Sequence, residues 1–127
     1  MRRQTKYFAK KTYLMGKEFD SKKEARRYAE LMLLVRAGEI TELQTQVPFE
    51  LIPAQREADT VGARGGIKQG KVIERAVNYV ADFTYKDRDG NLIVEDTKGY
   101  KEGQAYELFV IKRKLMLYVH GIRVREV

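Results

Sequence analysis

The sequence predicts a mixed α/β fold, a central mixed sheet flanked by helices in the order α-β-β-β-α-β. Three observations carry this reading. An Asp-Gly turn joins two runs rich in β-branched and aromatic residues, which is a hairpin signal. A capping box, Ser21-Lys22-Lys23-Glu24, opens a dense apolar run that Gly38 is placed to end. A second apolar run, from about Ala105 to His120, is closed by Gly121 and followed by the short alternating segment 122–127. With no internal repeat and no linker, these elements fit a single domain spanning 1–127.

Taken in order, residues 1–20 are basic and aromatic and show no clear period. Arg2, Arg3, Lys6, Lys10 and Lys11 alternate with Tyr7, Phe8 and Tyr13, a mixture that grips phosphates and stacks on exposed bases, or else a frayed end with a few anchoring aromatics. The first helix runs through Ala25, Tyr28, Leu31 and Val35, apolar enough for burial on more than one side. Glu24 has two readings: it reaches back to the Ser21 amide, or it projects from the first turn toward the hairpin. Locally, capping is favoured.

A strand follows over 45–52, with Val47, Phe49 and Leu51 on its buried face. Pro48 cannot donate to a ladder and so points to an edge strand or a bulge. Residues 53–70 hold four glycines with Arg56, Arg64 and Lys68 among them. This reads as a flexible basic loop without structure of its own, either closing over a nucleic-acid backbone or a tolerated insertion. Residues 71–78 lead into the hairpin as strand, continuous or bent by a bulge. In the second helix Tyr106, Phe109, Val110, Leu117 and Leu115 are expected to pack inward. Lys112, Arg113 and Lys114 form a basic group, one member of which is expected to face the site. His120 falls in the last turn, where a cation is favourable, and is read as a cap or surface group.

Composition narrows the chemistry. The net charge of +7 favours a polyanionic partner, with nucleic acid first. There is no cysteine and a single histidine, so disulfides, thiolate zinc sites and histidine-rich metal sites are excluded. A metal would have to be held by carboxylates and carbonyls, as magnesium or manganese is. No segment approaches a membrane span or a signal peptide, and a cytoplasmic location is expected.

The hairpin carries the sharpest signal. Its arms are Tyr79-Val80-Ala81-Asp82-Phe83-Thr84-Tyr85 and Asn91-Leu92-Ile93-Val94-Glu95-Asp96-Thr97-Lys98-Gly99. Alternation puts Val80, Asp82 and Thr84 on one face of the first arm. On the second it puts Leu92, Val94, Asp96 and Lys98 together, with Glu95 and Thr97 opposite. If the faces coincide, two carboxylates and an ammonium meet at the open end. Such a set suits a divalent cation held by oxygens, with a lysine to position water.

Asp82, then Asp96-Thr97-Lys98, resembles the pattern of the PD-(D/E)xK nuclease superfamily, with Ala81 standing where proline gives that pattern its name. Glu24 matches the helical glutamate that often completes such sites. The element order is similar to that superfamily's restriction-endonuclease-like core, as in archaeal-type Holliday junction resolvases. Four segments also resemble small phage proteins of the DUF1064 type: Phe19-Asp20-Ser21-Lys22-Lys23-Glu24-Ala25, Gln46-Val47-Pro48-Phe49-Glu50-Leu51, the first hairpin arm, and Val94-Glu95-Asp96-Thr97-Lys98-Gly99.

The resemblance implies a metal-dependent, structure-selective endonuclease acting on branched DNA, a Holliday junction resolvase first, and a homodimer because two strands are cut symmetrically. Glu24, Asp82, Asp96 and Lys98 would be catalytic. Asp82, Asp96 and the Thr97 carbonyl would hold Mg²⁺, or Mn²⁺ in its place, with Glu24 acting through water or on a second ion. Arg2, Arg3, Lys6, Lys10, Lys11, Arg64, Lys68, Lys112 and Lys114 would touch DNA. The alternatives are a nuclease cutting ordinary duplex or flaps, and a DNA-binding protein without activity.

Overall fold

The computed structural model describes residues 12–14, 16–99 and 101–127. Strands β1 (Thr12–Leu14) and β2 (Lys17–Phe19) form a small antiparallel hairpin where no period was expected. Its turn uses Gly16 at a φ of +77°, open to glycine without strain. The hairpin is anchored by Phe19, which is buried with its ring 5.0 Å from that of Tyr28.

Helix α1 (Lys22–Arg36) starts as the capping signal predicts: the Ser21 hydroxyl accepts from the Glu24 amide at 3.1 Å. Strand β3 (Thr41–Ile52) follows, four residues longer toward its start than the apolar alternation indicates. It pairs antiparallel with β8 (Val77–Lys86), which pairs antiparallel with β9 (Leu92–Asp96). After α2 (Gln104–His120), β10 (Val124–Glu126) returns parallel to β9. The mixed sheet therefore has the order β10-β9-β8-β3, and β3, which carries Pro48, is an edge strand. Strand β9 stops at Asp96, so Thr97, Lys98 and Gly99 lie beyond the ladder rather than within the arm.

The segment expected to be a loop is instead a two-stranded arm. Strand β4 (Gln55–Arg56) pairs with β7 (Val72–Glu74), and β5 (Thr60–Val61) pairs with β6 (Ile67–Lys68). Backbone pairing holds it, and such pairing leaves no apolar period in the sequence.

Two apolar clusters cover the sheet. In one, Tyr28 and Leu31 of α1 pack with Ile40, Phe83 and Tyr85; in the other, Phe109 and Met116 of α2 pack with Leu51, Tyr79, Ala81, Val94 and Val124. Full burial of a leucine or phenylalanine is worth roughly 1.5–3 kcal/mol, so these clusters dominate the fold's stability. In α2, Met116 is buried, whereas Leu117, expected to point inward, is 50% exposed: one residue is a rotation of about 100° on a helix. His120 ends the helix against β3, its Nε2 lying 2.7 Å from the Glu50 carbonyl oxygen.

Strict alternation fails in the middle of the sheet. Tyr79, Ala81, Phe83 and Tyr85 have the same parity, yet the first two pack with the α2 cluster and the last two with the α1 cluster. On β3, Leu43 packs with the α1 cluster, while Phe49 and Leu51 pack with the α2 cluster. The handover falls between residues 81 and 83 and, on the partner strand, near Gln46, which the register sets opposite Asp82.

One buried ion pair fastens α1 to the sheet. Glu95 is 0% exposed and receives Arg27 Nε at 2.8 Å and Nη2 at 2.7 Å, a two-pronged contact. The Tyr85 hydroxyl donates to the same carboxylate. Loss of water pushes the Tyr85 phenol up to about 12, so it remains a donor at any ordinary pH. Removing one partner of a buried pair strands the other charge. Glu95→Ala is expected to lose about 3–5 kcal/mol of stability in urea denaturation; a loss below 1 kcal/mol would show that the pair does not hold the helix.

Candidate functional site

Four elements converge where the strand pair changes faces. Glu24 comes from the first turn of α1, Gln46 from β3, Asp82 from β8, and Asp96, Thr97 and Lys98 from the end of β9. The Gln46 amide nitrogen donates to Glu24 at 2.9 Å and reaches Asp82 at 3.4 Å. Asp82 also accepts two bonds from Thr97, one from its amide and one from its hydroxyl, each 2.8 Å. Asp96 accepts from the Tyr79 hydroxyl at 2.6 Å and pairs with the Lys98 ammonium at 3.0 Å. Lys98 Nζ also stands 4.2 Å from the centre of the Phe109 ring, a cation–π contact that fixes it from the α2 side.

The backbone supports this arrangement at a cost. Gln46 has a φ of 53°, a left-handed conformation that costs a side-chain-bearing residue about 1 kcal/mol or more. That conformation turns its side chain into the space between Glu24 and Asp82. Lys23 contributes from the next position on α1, its Nζ donating to the Lys98 carbonyl at 2.6 Å. The helix start is thereby tied to the segment that carries Thr97 and Lys98.

The carboxylates feel one another. Burial, then repulsion from Asp82 and Asp20, pushes Glu24 from 4.5 up to about 7, while the Asp20 and Gln46 amides pull it back. Asp96 is raised by burial and then by Asp82, against the Tyr79 and Lys98 bonds that favour its charged form. The Tyr79 phenol is raised strongly, first by burial and then by its bond to Asp96. Of the two readings of the Glu24 side chain, the structure shows the one directed to the hairpin: its carboxylate faces Asp82 and accepts from Gln46, while the cap is made by the Glu24 backbone amide donating to the Ser21 hydroxyl.

The structure brings Glu24, Asp82, Asp96, Thr97 and Lys98 together, with one correction. Thr97 was assigned to the face opposite Asp82, but it binds Asp82 directly, because the strand ends at Asp96 and alternation no longer governs it. Of the basic group on α2, Arg113 is held 2.7 Å from Glu126, with its guanidinium 6.0 Å from the centre of the Phe109 ring. Among the described residues no three acidic or histidine side chains form a ready group for a metal ion. Their oxygens are taken up by Gln46, Thr97, Tyr79 and Lys98 instead.

The donor chemistry still fits a hard cation. The carboxylates that could act as ligands offer only oxygen, and the raised Glu24 and Asp96 mark an excess of negative charge that a divalent ion would relieve. Gln46 is the residue the sequence reading did not single out. Its position on the polar side of a strand beside the hairpin was visible, but its left-handed backbone was not. Of the residues assigned to DNA, Arg2, Arg3, Lys6, Lys10 and Lys11 lie outside the described residues. Arg64 and Lys68 are on the two-stranded arm, and Lys112 and Lys114 are on α2.

A mixed sheet between two helices, with acidic groups from both its hairpin and its first helix, defines the class structurally. The family described as "Protein of unknown function (DUF1064)" matches residues 4–125, and the chain belongs to it. No curated protein and no solved structure matches the chain significantly. Among the described residues no helix is long and apolar enough to cross a membrane.

The raised carboxylates set a pH dependence. A group whose pKa is higher in the folded state contributes stability below its unfolded pKa and loses it as pH climbs through the folded value. For Glu24 the window runs from 4.5 to about 7. The fold should lose on the order of 3 kcal/mol across it, and Asp96 acts in the same direction. Glu24→Gln should therefore be more stable than the parent at pH 8 and nearly equal to it at pH 4. Urea denaturation at both pH values checks this; an equal fall in both proteins would contradict it.

Proposed function

We propose that this chain is a metal-dependent endonuclease acting on branched DNA, a four-way junction first. The observation that carries the reading is the coupled set at the open end of the hairpin, where Asp82 and Asp96 stand with Glu24 and the Lys98 ammonium. The net charge of +7 supports a polyanionic substrate. The similarity of the Asp82, Asp96-Thr97-Lys98 pattern to PD-(D/E)xK nucleases supports the reaction class.

In this reading Asp82 and Asp96 would hold Mg²⁺, with Glu24 completing the site. The bound cation would supply Lewis acidity and neutralise charge on the phosphoryl group. The protein's own part is positioning. Thr97 fixes the rotamer of Asp82 through two bonds. Tyr79 fixes Asp96 from the buried side. Lys98, held between Asp96 and the Phe109 ring, has donors left to orient a water and to stabilise the crowded phosphate. Gln46 would give up its bond to Asp82 when the acids take a cation. Symmetric cutting of a junction would call for a homodimer, and the reaction belongs in the cytoplasm of a phage-infected cell.

A second reading is a protein that binds DNA without cutting it. The Gln46 amide favours that reading, since it donates to Glu24 at 2.9 Å and stands 3.4 Å from Asp82, in the space between the two acids. A labelled four-way junction and a matched duplex, each with Mg²⁺, separate the two. Asp82→Asn and Asp96→Asn should each lower junction cleavage at least 100-fold and leave binding within a few-fold, since each removes a charge that acts on the transition state. Parent-like cleavage by either variant would overturn the assignment, and binding without cleavage by the parent would favour the second reading.

A further inference from the structure

The two-stranded arm is a built structure that the catalytic reading does not use. Gly70 is buried where an added Cβ would lie 1.8 Å from the Glu57 carbonyl oxygen, so no other residue fits there without movement. Its amide donates to Asp59 at 2.9 Å, and its carbonyl accepts from Arg56 at 3.0 Å. Glu57 donates its amide to Lys71 across the stem at 2.8 Å. At the far end, the Gly62 amide donates to the Gly66 carbonyl at 2.7 Å, closing the tip.

That tip presents an unusual surface. Val61 and Ile67 are cross-strand partners, and they are 75% and 80% exposed. Two large aliphatic side chains stand there mostly in water and belong to neither apolar cluster of the fold. Between residues 60 and 70 the only charged residues are Arg64 and Lys68, both positive. The arm's acids, Glu57, Asp59 and Glu74, all lie outside the tip, and Asp59 is occupied with Gly70.

We infer that the tip of this arm enters a groove of duplex DNA, with Val61 and Ile67 against sugars and base edges and Arg64 and Lys68 on the flanking phosphates. A two-stranded ribbon is narrow enough for a groove, and apolar side chains at its end can wedge against base steps. Cations without acids beside them give the tip the sign that a phosphate backbone requires. The arm also continues the β3–β8 ladder that carries Gln46 and Asp82. Its base, after Ile52, stands six residues from Gln46, about 20 Å along an extended strand. A duplex lying at the carboxylates would therefore have to run on by roughly six base pairs or more to meet the arm. The inference rests on DNA being what the chain binds and deepens that reading by naming a second point of contact away from the chemistry.

The test uses the full chain in EDTA, where cleavage is off, with fluorescence anisotropy on a 25-base-pair duplex and on a four-way junction. Arg64→Ala with Lys68→Ala should weaken binding about tenfold and reduce the salt slope by about two, as for two lost phosphate contacts. Val61→Ser with Ile67→Ser should weaken binding with the salt slope unchanged. Thermal melting of both variants should match the parent, because all four side chains are exposed. Parent-like affinity in both variants, or no DNA binding by the parent, overturns the inference. A parent whose sedimentation shows a dimer that the serine variant loses, with DNA affinity unchanged, overturns it too and assigns the tip to a second copy of the chain. Cleavage with Mg²⁺ is scored separately, so a parent that binds through its arm without cutting sinks the nuclease reading and leaves this one standing.

Discussion

The clamp of Arg27 and Tyr85 on the buried Glu95 is the contact on which the remaining geometry depends. A carboxylate with no access to water is tolerable only if its charge and lone pairs are met, and a guanidinium fork with a phenol meets them. Because Arg27 sits one turn after Glu24, satisfying Glu95 also fixes how far along the sheet α1 lies. The helix start is thereby delivered to Asp82, and Lys23 is brought to the Lys98 carbonyl. The adjacent acids of β9 divide the work: Glu95 holds the helix, while Asp96 faces Tyr79 and Lys98.

A second constraint is the change of faces in the β3–β8 pair. A sheet that hands its inward side chains from one helix to the other must break alternation somewhere. Here the break falls at Asp82 and at Gln46 across from it. The left-handed Gln46 records the strain, and the same distortion gathers polar side chains in the middle of an apolar sheet. The electrostatics follow from this. Burial and the nearby Asp82 charge raise the proton affinity of Glu24 and Asp96, and a single amide is a poor substitute for a cation between the acids.

Much of this was legible in the residues. Ser21 and Glu24 mark the start of α1, Asp-Gly marks the hairpin turn, Gly121 marks the end of α2, and Pro48 marks an edge. Those signals are local, and local physics decides them. What escaped depends on partners distant in the chain. The arm over 53–76 is held by backbone pairing, Gly70 and Asp59, none of which leaves an apolar period. The β1–β2 hairpin is three residues a side, too short for alternation to register. Thr97 was placed by a strand rule that ceases to apply one residue earlier, and Leu117 and Met116 exchange roles because α2 is apolar on most sides.

The central claim is that acids far apart in the chain form one electrostatic unit able to take a hard cation. Substoichiometric Mn²⁺ added to ¹⁵N-labelled protein tests this most directly, because the paramagnetic ion broadens nearby amides whether or not any reaction occurs. The account predicts that the signals of Glu24, Gln46, Asp82, Asp96, Thr97 and Lys98 fade first and together. Broadening spread instead over surface acids such as Glu39, Asp89 and Glu107, with those six signals intact, would contradict it.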